Sequence, residues 1–279
     1  MTAAIFASRL SVRTVWLSDI HLGCKDCRAQ YLLDFLQRVE CETIYLLGDI
    51  VDFWALKRQF IWPAAHYEVL RTLMHKAKHG TRVIYVPGNH DEVMREFVGN
   101  HFGPIEIRQE TTHVTADGKK LLLFHGDVLD PFVHMHIDKL SRVIGDPAYD
   151  FLMWVHRWVN RGRRVIGLPY WSLANYVKTR IKNARVAINA FSSAAIHEAK
   201  RRGFDGVVCG HIHHAEITQR DGVTYCNDGD WIESCTALVE QHSGKLDILH
   251  WADFYRAAQT LPLKADELPP LPISLSAKN

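Results

Sequence analysis

The sequence predicts a mixed α/β fold built as a single large domain. Short apolar runs of strand length recur along the chain and alternate with segments that show helical spacing. Continuous apolar runs are typical of strands covered on both faces, so we expect a largely parallel sheet with helices on both sides. Polar clusters follow these runs from residue 19 to residue 213, and a site assembled over that span needs one common core.

Each predicted strand runs into a cluster that contains Asp, Gly or His. The five strands are expected at residues 14–17, 44–47, 83–86, 121–124 and 206–209. Between them, residues 28–39 and 64–78 show helical spacing, and the second helix is expected to stop at Gly80 after a basic last turn. Alternation of strands and helices favours parallel pairing in this first half.

The second half of the sheet is expected to be antiparallel, because two Asp-Gly pairs at 117–118 and 221–222 favour tight hairpins. Residues 236–240 and 245–250 are expected to form a last strand pair, and residues 192–202 a helix that leads back to the sheet. We expect one domain over residues 13–255, with a helical cap inserted at about 130–190. Residues 256–279 are expected to form an irregular, proline-containing tail.

Composition excludes several broad classes. The 279 residues are 47% apolar and 23% charged with a net charge of +2, so general disorder is excluded and no nucleic acid partner is expected. Neither a spanning apolar stretch nor a secretory signal is recognisable, and we therefore expect a cytoplasmic protein. The six cysteines are interpreted as reduced thiols, with Cys24 and Cys27 in a plain loop.

The polar clusters carry the oxygen and imidazole ligands that a pair of divalent cations needs. Asp49 is the natural bridging ligand. Residues two apart in an extended segment project to the same side, which pairs Asp19 with His21 and His211 with His213. Asn89 adds a neutral carbonyl oxygen and His125 an imidazole. The predicted metal ligands are Asp19, His21, Asp49, Asn89, His125, His211 and His213.

A proton donor is expected beside these ligands. His90 follows Asn89 directly, and Asp52, three residues after Asp49, is the carboxylate expected to hold its tautomer and raise its pKa. Two divalent ions would activate a water for in-line attack on phosphorus while such a donor neutralises charge on the phosphoryl oxygens. The sequence therefore predicts a metal-dependent phosphoric ester hydrolase with His90 and Asp52 as catalytic residues.

These clusters read Asp-x-His, Gly-Asp-x-x-Asp, Gly-Asn-His-Asp, His-Gly-Asp and Gly-His-x-His, and over about residues 14–250 the chain resembles the calcineurin-like metallophosphoesterases. The resemblance implies an αββα sandwich of mixed sheets flanked by helices, with a helical cap. It also implies that Asp19, His21, Asp49 and His213 hold one metal, and Asp49, Asn89, His125 and His211 the other. The implied metal is manganese, with iron or zinc as alternatives.

Around Asp19 and Asp49, and in the long cap, the chain resembles the UDP-2,3-diacylglucosamine pyrophosphatase group of lipid A synthesis. That resemblance implies hydrolysis of the pyrophosphate of an acylated nucleotide sugar, with release of UMP. The best-known enzymes of the group have Arg at the position of His90 and Glu at that of Asp52. Two alternatives therefore stay open: a paralogue acting on another membrane-linked or nucleotide phosphodiester, and a non-catalytic scaffold.

The cap adds a clue to the substrate. Residues 151–185 contain eight Lys or Arg, six aromatic residues and no Asp or Glu. This combination suits an acylated nucleotide sugar and peripheral contact with an anionic inner membrane, although aromatic packing of the cap and a solvated charged face give the same pattern. Positions that match polar substrate contacts of the related enzymes are Lys178, Arg180, Lys182 and Asn183.

Overall fold

The computed structural model describes residues 10–131, 163 and 182–260. Its helices are α1 (Ala29–Arg38), α2 (Phe53–Arg58), α3 (Ala64–Lys78), α4 (Lys182–Arg201) and α5 (Trp251–Thr260), with 3-10 turns at Glu92–Phe97 and Asp127–Leu129. Its strands are β1 (Leu10–Ser11), β2 (Thr14–Leu17), β3 (Val39–Glu40), β4 (Thr43–Leu47), β5 (Arg82–Val86), β6 (His101–Phe102), β7 (Ile105–Ile107), β8 (Thr111–Val114), β9 (Lys120–Leu123), β10 (Gly206–Cys209), β11 (Glu216–Arg220), β12 (Val223–Asn227), β13 (Thr236–Glu240) and β14 (Leu246–His250).

Two mixed sheets organise the described residues. One has seven strands in the order β14-β13-β2-β4-β5-β7-β6, and the other has five in the order β11-β12-β10-β9-β8. Strands β2, β4, β5 and β7 run parallel, while β13 pairs antiparallel with β2. In the second sheet β10 runs parallel to both β9 and β12. The carboxyl ends of the parallel strands therefore lie along one rim of each sheet.

Apolar layers show how the two sheets are stacked. Between them lies a cluster that includes Trp16 and Tyr45 from the larger sheet and Val208 from the smaller one. The outer face of the larger sheet is covered by α1, α3 and α5, and that of the smaller sheet by α4 through Phe191. These layers confirm the αββα sandwich.

The predicted strands and hairpins are found close to their expected positions, but four expectations need correction. The single sheet expected from the apolar runs is divided into two, as the family resemblance implied, and the second half is mixed because β10 is parallel to its neighbours. Helix α4 begins ten residues before the expected helix and enters the predicted cap. The irregular tail is wrong for residues 256–260, because α5, which buries Trp251 and Phe254 against the core, continues to Thr260.

Most of the predicted cap, including Lys178 and Arg180, and residues 261–279 of the tail lie outside the described residues. Lys182 and Asn183 begin α4, and their side chains also lie outside the description. None of the described helices combines the length and apolar character needed to cross a membrane.

Candidate metal centre

The sequence clusters meet where the parallel strands of both sheets end. Asp19 and His21 follow β2, Asp49 follows β4, and Asn89 and His90 follow β5 in the larger sheet. In the smaller sheet His125 follows β9, while His211 and His213 follow β10. Contacts cross from one sheet to the other, so the structure brings all seven predicted ligands to one rim of the sandwich.

One group of side chains surrounds Asp19. Its Oδ1 lies 3.2 Å from Nε2 of His213 and 3.9 Å from Nε2 of His21. The His21 Nε2 also lies 3.8 Å from Oδ2 of Asp49. Ligand atoms of Asp19, His21 and His213 all lie within 4.8 Å of one another, which is close enough to share one ion.

A second group lies on the other side of Asp49. Nε2 of His125 is 3.5 Å from Asp49 Oδ2 and 3.2 Å from Asn89 Oδ1. Ligand atoms of Asp49, His125 and His211 again lie within 4.8 Å of one another. Asp49 therefore belongs to the second group and faces His21 of the first, which is the placement expected of a bridging carboxylate.

Five of the predicted ligands adopt left-handed backbone angles, with φ of 49° at Asp19, 53° at His21, 56° at Asp49, 70° at His211 and 51° at His213. Such angles cost non-glycine residues about 1–3 kcal/mol each and persist where the surroundings impose them. Backbone hydrogen bonds impose them here: Asp19 donates to the Gly48 carbonyl at 3.0 Å and His21 to that of Asp49 at 2.8 Å.

The electrostatics of the site fit divalent cations. Burial would raise the pKa of Asp19, but the interactions with His213 and the charge of His125 together outweigh it and hold that pKa at about 2. Burial would lower the pKa of His125, but Asp49 raises it to about 10. Asp19 Oδ1 and His21 Nε2 are buried without a hydrogen bond. Buried anionic oxygens and imidazoles that face one another match the ligand preference of hard and borderline divalent ions.

Asp52 lies between two imidazoles. Its Oδ1 is 3.0 Å from Nδ1 of His90, and its Oδ2 is 3.1 Å from Nδ1 of His21. Asp52 also caps α2, accepting the Ala55 amide proton at 2.7 Å. The sequence prediction paired Asp52 with His90 but missed the contact with His21. The ring of Trp54 covers His90, with 4.2 Å between ring centroids.

Several polar partners were not found from the sequence. The hydroxyl oxygen of Ser18 lies 2.5 Å from Asp19 Oδ2 and 2.6 Å from Asp228 Oδ1, and burial raises the pKa of Asp228 well above its usual range. Asp130 Oδ1 lies 2.7 Å from His211 Nε2. Asp228 is separated from Ser18 by 210 positions, so no local spacing signals the contact.

Asp91 is the last residue of the Gly-Asn-His-Asp cluster. Its carboxylate accepts the amide protons of Ile50 at 2.7 Å and Gly88 at 2.5 Å, as well as the Tyr85 hydroxyl proton. One buried carboxylate thereby ties the loops after β4 and β5 together.

Several known proteins are similar to this chain. The UDP-2,3-diacylglucosamine hydrolase of Aliivibrio fischeri is 24% identical over 265 residues, covering 86% of this chain and 98% of that protein. The enzyme of the same name from Haemophilus influenzae is 26% identical over 239 residues, covering 81% and 93%. A phosphoesterase structure from E. coli aligns with a TM-score of 0.44 and 14% identity over 85% of this chain and 92% of that one.

The family model for calcineurin-like phosphoesterases matches residues 12–215, which includes every predicted ligand. Members of this family are hydrolases with a dimetal centre, and the described residues include the His and Asp groups that such a centre needs. The protein is a metal-dependent phosphoester hydrolase. The chain belongs to the calcineurin-like phosphoesterase family.

Proposed function

We propose that this enzyme cleaves the pyrophosphate bond of UDP-2,3-diacylglucosamine and releases UMP. The observation that carries the proposal is similarity to enzymes of that name over nearly their whole length, 98% in one case, together with a complete set of predicted ligands. The donors fit two divalent ions, for which we propose Mn²⁺, with iron or zinc as alternatives.

In this proposal the chain's own residues prepare the reaction. The metal ions, when bound, neutralise phosphoryl charge and activate the nucleophile. His90, which lies 3.0 Å from Asp52, donates a hydrogen bond or a proton to the phosphoryl or leaving oxygen. Asp52 Oδ1 faces Nδ1 of His90, which leaves Nε2 as the nitrogen proposed to act on the substrate.

The surface beside the metal centre supports a lipid-linked substrate. Residues 53–67 contain no Asp or Glu. Within them Lys57 and Arg58 are exposed, and the side chains of Phe60 and Tyr67 are 78% and 57% exposed. We call residues 53–67 the α2 surface. Aromatic and cationic side chains together favour the interface of an anionic membrane, so peripheral membrane contact is part of the proposal.

A second candidate is a paralogous enzyme for another nucleotide or membrane-linked phosphodiester. The observation that favours it is the His90–Asp52 pair itself, because the chain has His and Asp where the best-known pyrophosphatases of the group carry Arg and Glu.

An assay of UMP release distinguishes the candidates. Mn²⁺-loaded enzyme is given UDP-2,3-diacylglucosamine, its deacylated form and bis(p-nitrophenyl) phosphate, with Asp49→Ala as a control for contaminating hydrolases. We expect UMP from the acylated substrate at a higher kcat/KM than from the deacylated one. Hydrolysis of the synthetic diester without UMP release from either nucleotide sugar would contradict the proposed substrate and favour the paralogue.

A further inference from the structure

Two predicted histidine ligands share a pattern of support. Nδ1 of His21 is held by Asp52 Oδ2 at 3.1 Å, and Nδ1 of His125 by the Leu47 carbonyl at 2.8 Å. Their Nε2 atoms then face Asp49 Oδ2, at 3.8 Å and 3.5 Å. When an oxygen acceptor holds one imidazole nitrogen, the proton is fixed there and the other nitrogen is left to bind a metal.

His211 is supported from the opposite nitrogen. Its Nε2 lies 2.7 Å from Oδ1 of Asp130, so Nδ1 is the nitrogen left for a metal. The backbone of His211 is fixed as well, because its amide donates to Asp19 Oδ2 at 2.8 Å. With the backbone tied and φ at 70°, rotation of the side chain is the main freedom that His211 retains.

Asp130 is well placed to remove that freedom. It follows the turn Asp127–Leu129, and its amide donates to the Asp127 carbonyl. Leu129, the preceding residue, is buried against the core beneath α4. The Asp130 side chain is 42% exposed, so water solvates the carboxylate while one oxygen holds the imidazole.

We propose that Asp130 is a positioning residue for the second metal. Its carboxylate fixes the proton of His211 on Nε2 and orients the ring so that Nδ1 faces the space shared with Asp49 and His125. Carboxylates that support a metal-bound histidine in this way typically strengthen metal binding about 10–100-fold. This role does not depend on which phosphodiester is cleaved.

The test is a mutant cycle read by metal binding. Mn²⁺ affinity and stoichiometry are measured by titration calorimetry and elemental analysis for the wild type, Asp130→Ala, Asp130→Asn, His211→Ala and the double variant Asp130→Ala/His211→Ala. We expect Asp130→Ala to weaken one of two Mn²⁺ sites about 10–100-fold. Asp130→Asn, which retains a carbonyl acceptor, should recover much of that affinity. The electron paramagnetic resonance spectrum of Asp130→Ala should change from that of a coupled Mn²⁺ pair towards that of an isolated Mn²⁺ ion.

The double variant tests whether Asp130 acts through the imidazole. If it does, adding Asp130→Ala to His211→Ala has no further effect on metal affinity, because the ring that Asp130 orients is gone. Unchanged Mn²⁺ affinity in Asp130→Ala would overturn the proposal. So would an Asp130→Ala substitution that lowers Mn²⁺ affinity equally in the wild type and in His211→Ala. Thermal unfolding of the metal-free proteins should be the same, which separates positioning from a folding defect.

Discussion

At His90 two opposing effects decide the charge of the imidazole. Burial would lower its pKa, but the hydrogen bond to Asp52 and the charge of Asp49 outweigh burial and raise it. Burial would likewise raise the pKa of Asp52, yet its hydrogen bonds with His21 and His90 lower it, so the carboxylate is ionised. The raised pKa therefore favours the protonated form of His90 at the rim where phosphoryl charge develops.

Replacement of His90 by Ala should lower kcat about 10²–10⁴-fold with manganese content unchanged, because the donor is lost and the predicted ligands remain. Since the active form is protonated and its pKa is raised, wild-type activity should persist above the usual pKa of histidine and fall as pH rises through the raised value. Asp52→Asn removes the stabilising charge, so this fall should move to lower pH. Profiles of kcat against pH for the wild type and Asp52→Asn check both the persistence of activity and the shift of its fall.

His79→Ala is the matched control. His79 lies between the end of α3 and the start of β5, away from the rim that carries the predicted ligands. Its kcat and pH profile should equal those of the wild type. An Asp52→Asn profile that coincides with the wild type would show that His90 does not titrate in the active enzyme.

The ligand types could be read from the sequence because each motif is local. The polar contacts that hold these ligands could not be read, because they depend on how distant strands come together. The Leu47 carbonyl that fixes His125 has no side-chain signature at all, and Asp228 reaches Ser18 only after β12 and β2 are brought close in the fold.

Tight turns at the strand ends position the ligands, and Gly48 forms one of these turns. Its φ is 86°, and a Cβ at this position would overlap the His125 ring. Gly118 has a nearly equal φ of 88°, but a Cβ there would meet nothing within 4 Å. Substitutions at Gly48 and Gly118 therefore separate the free-energy cost of the left-handed backbone angle from the cost of the overlap with the His125 ring.

Gly118→Ala should lose only about 1–2 kcal/mol of unfolding free energy, the cost of a left-handed alanine. Gly48→Ala should lose clearly more and should also weaken Mn²⁺ binding, because the His125 ring must shift. Chemical denaturation and metal titration of both variants give the comparison. Equal losses with unchanged metal affinity would show that the β4 turn tolerates a side chain.

The α2 surface gives a second prediction at the scale of elements. Phe60→Ser should reduce sedimentation of the protein with phosphatidylglycerol vesicles, because it removes the most exposed aromatic ring beside Lys57 and Arg58. Phe102→Ser is the matched control, since Phe102 is 56% exposed on β6 without belonging to that surface. Equal sedimentation of both variants with the wild type would exclude the α2 surface from membrane contact.

Long apolar strands were predictable, whereas short and edge elements were not. The two-residue strands β1, β3 and β6 are too brief to show periodicity. Residues 251–260 contain aromatic residues spaced for a helix, yet the prolines that follow suggested an irregular tail that began too early. The division into two sheets also lacks a local signal, because it depends on β13 returning to pair with β2.

At the scale of the whole molecule, a buried carboxylate joins the sheets at the start of β2, the end opposite the metal ligands. Glu240 of β13 accepts hydrogen bonds from the Arg13 guanidinium at 2.9 Å, the Thr14 hydroxyl at 2.9 Å and the Ala116 amide at 2.7 Å. Its Oε2 also lies 2.8 Å from Nε2 of His113 in β8 of the other sheet.

Glu240→Ala should lower the free energy of unfolding by about 3 kcal/mol, the lower end for a broken buried ion pair, because Arg13 stays partly solvated. Glu42→Ala is the control: Glu42 lies 3.9 Å from the same Arg13 but is 65% exposed, so about 0.5 kcal/mol or less is expected. Urea unfolding of both variants measures the difference.

The pH dependence of the free energy of unfolding tests whether the charge of Glu240 causes this stabilisation. Burial would raise the pKa of Glu240, but the hydrogen bonds with His113, the Ala116 amide and Thr14 together outweigh it and lower the pKa. A lowered folded-state pKa stabilises the protein above the unfolded-state value, and the stabilisation is lost as pH falls through the folded-state value. The stability difference between wild type and Glu240→Ala should therefore be full near neutral pH and shrink on acidification. A difference that stays constant down to acid pH would assign the stabilisation to packing around β13 instead of to the charge that links the two sheets.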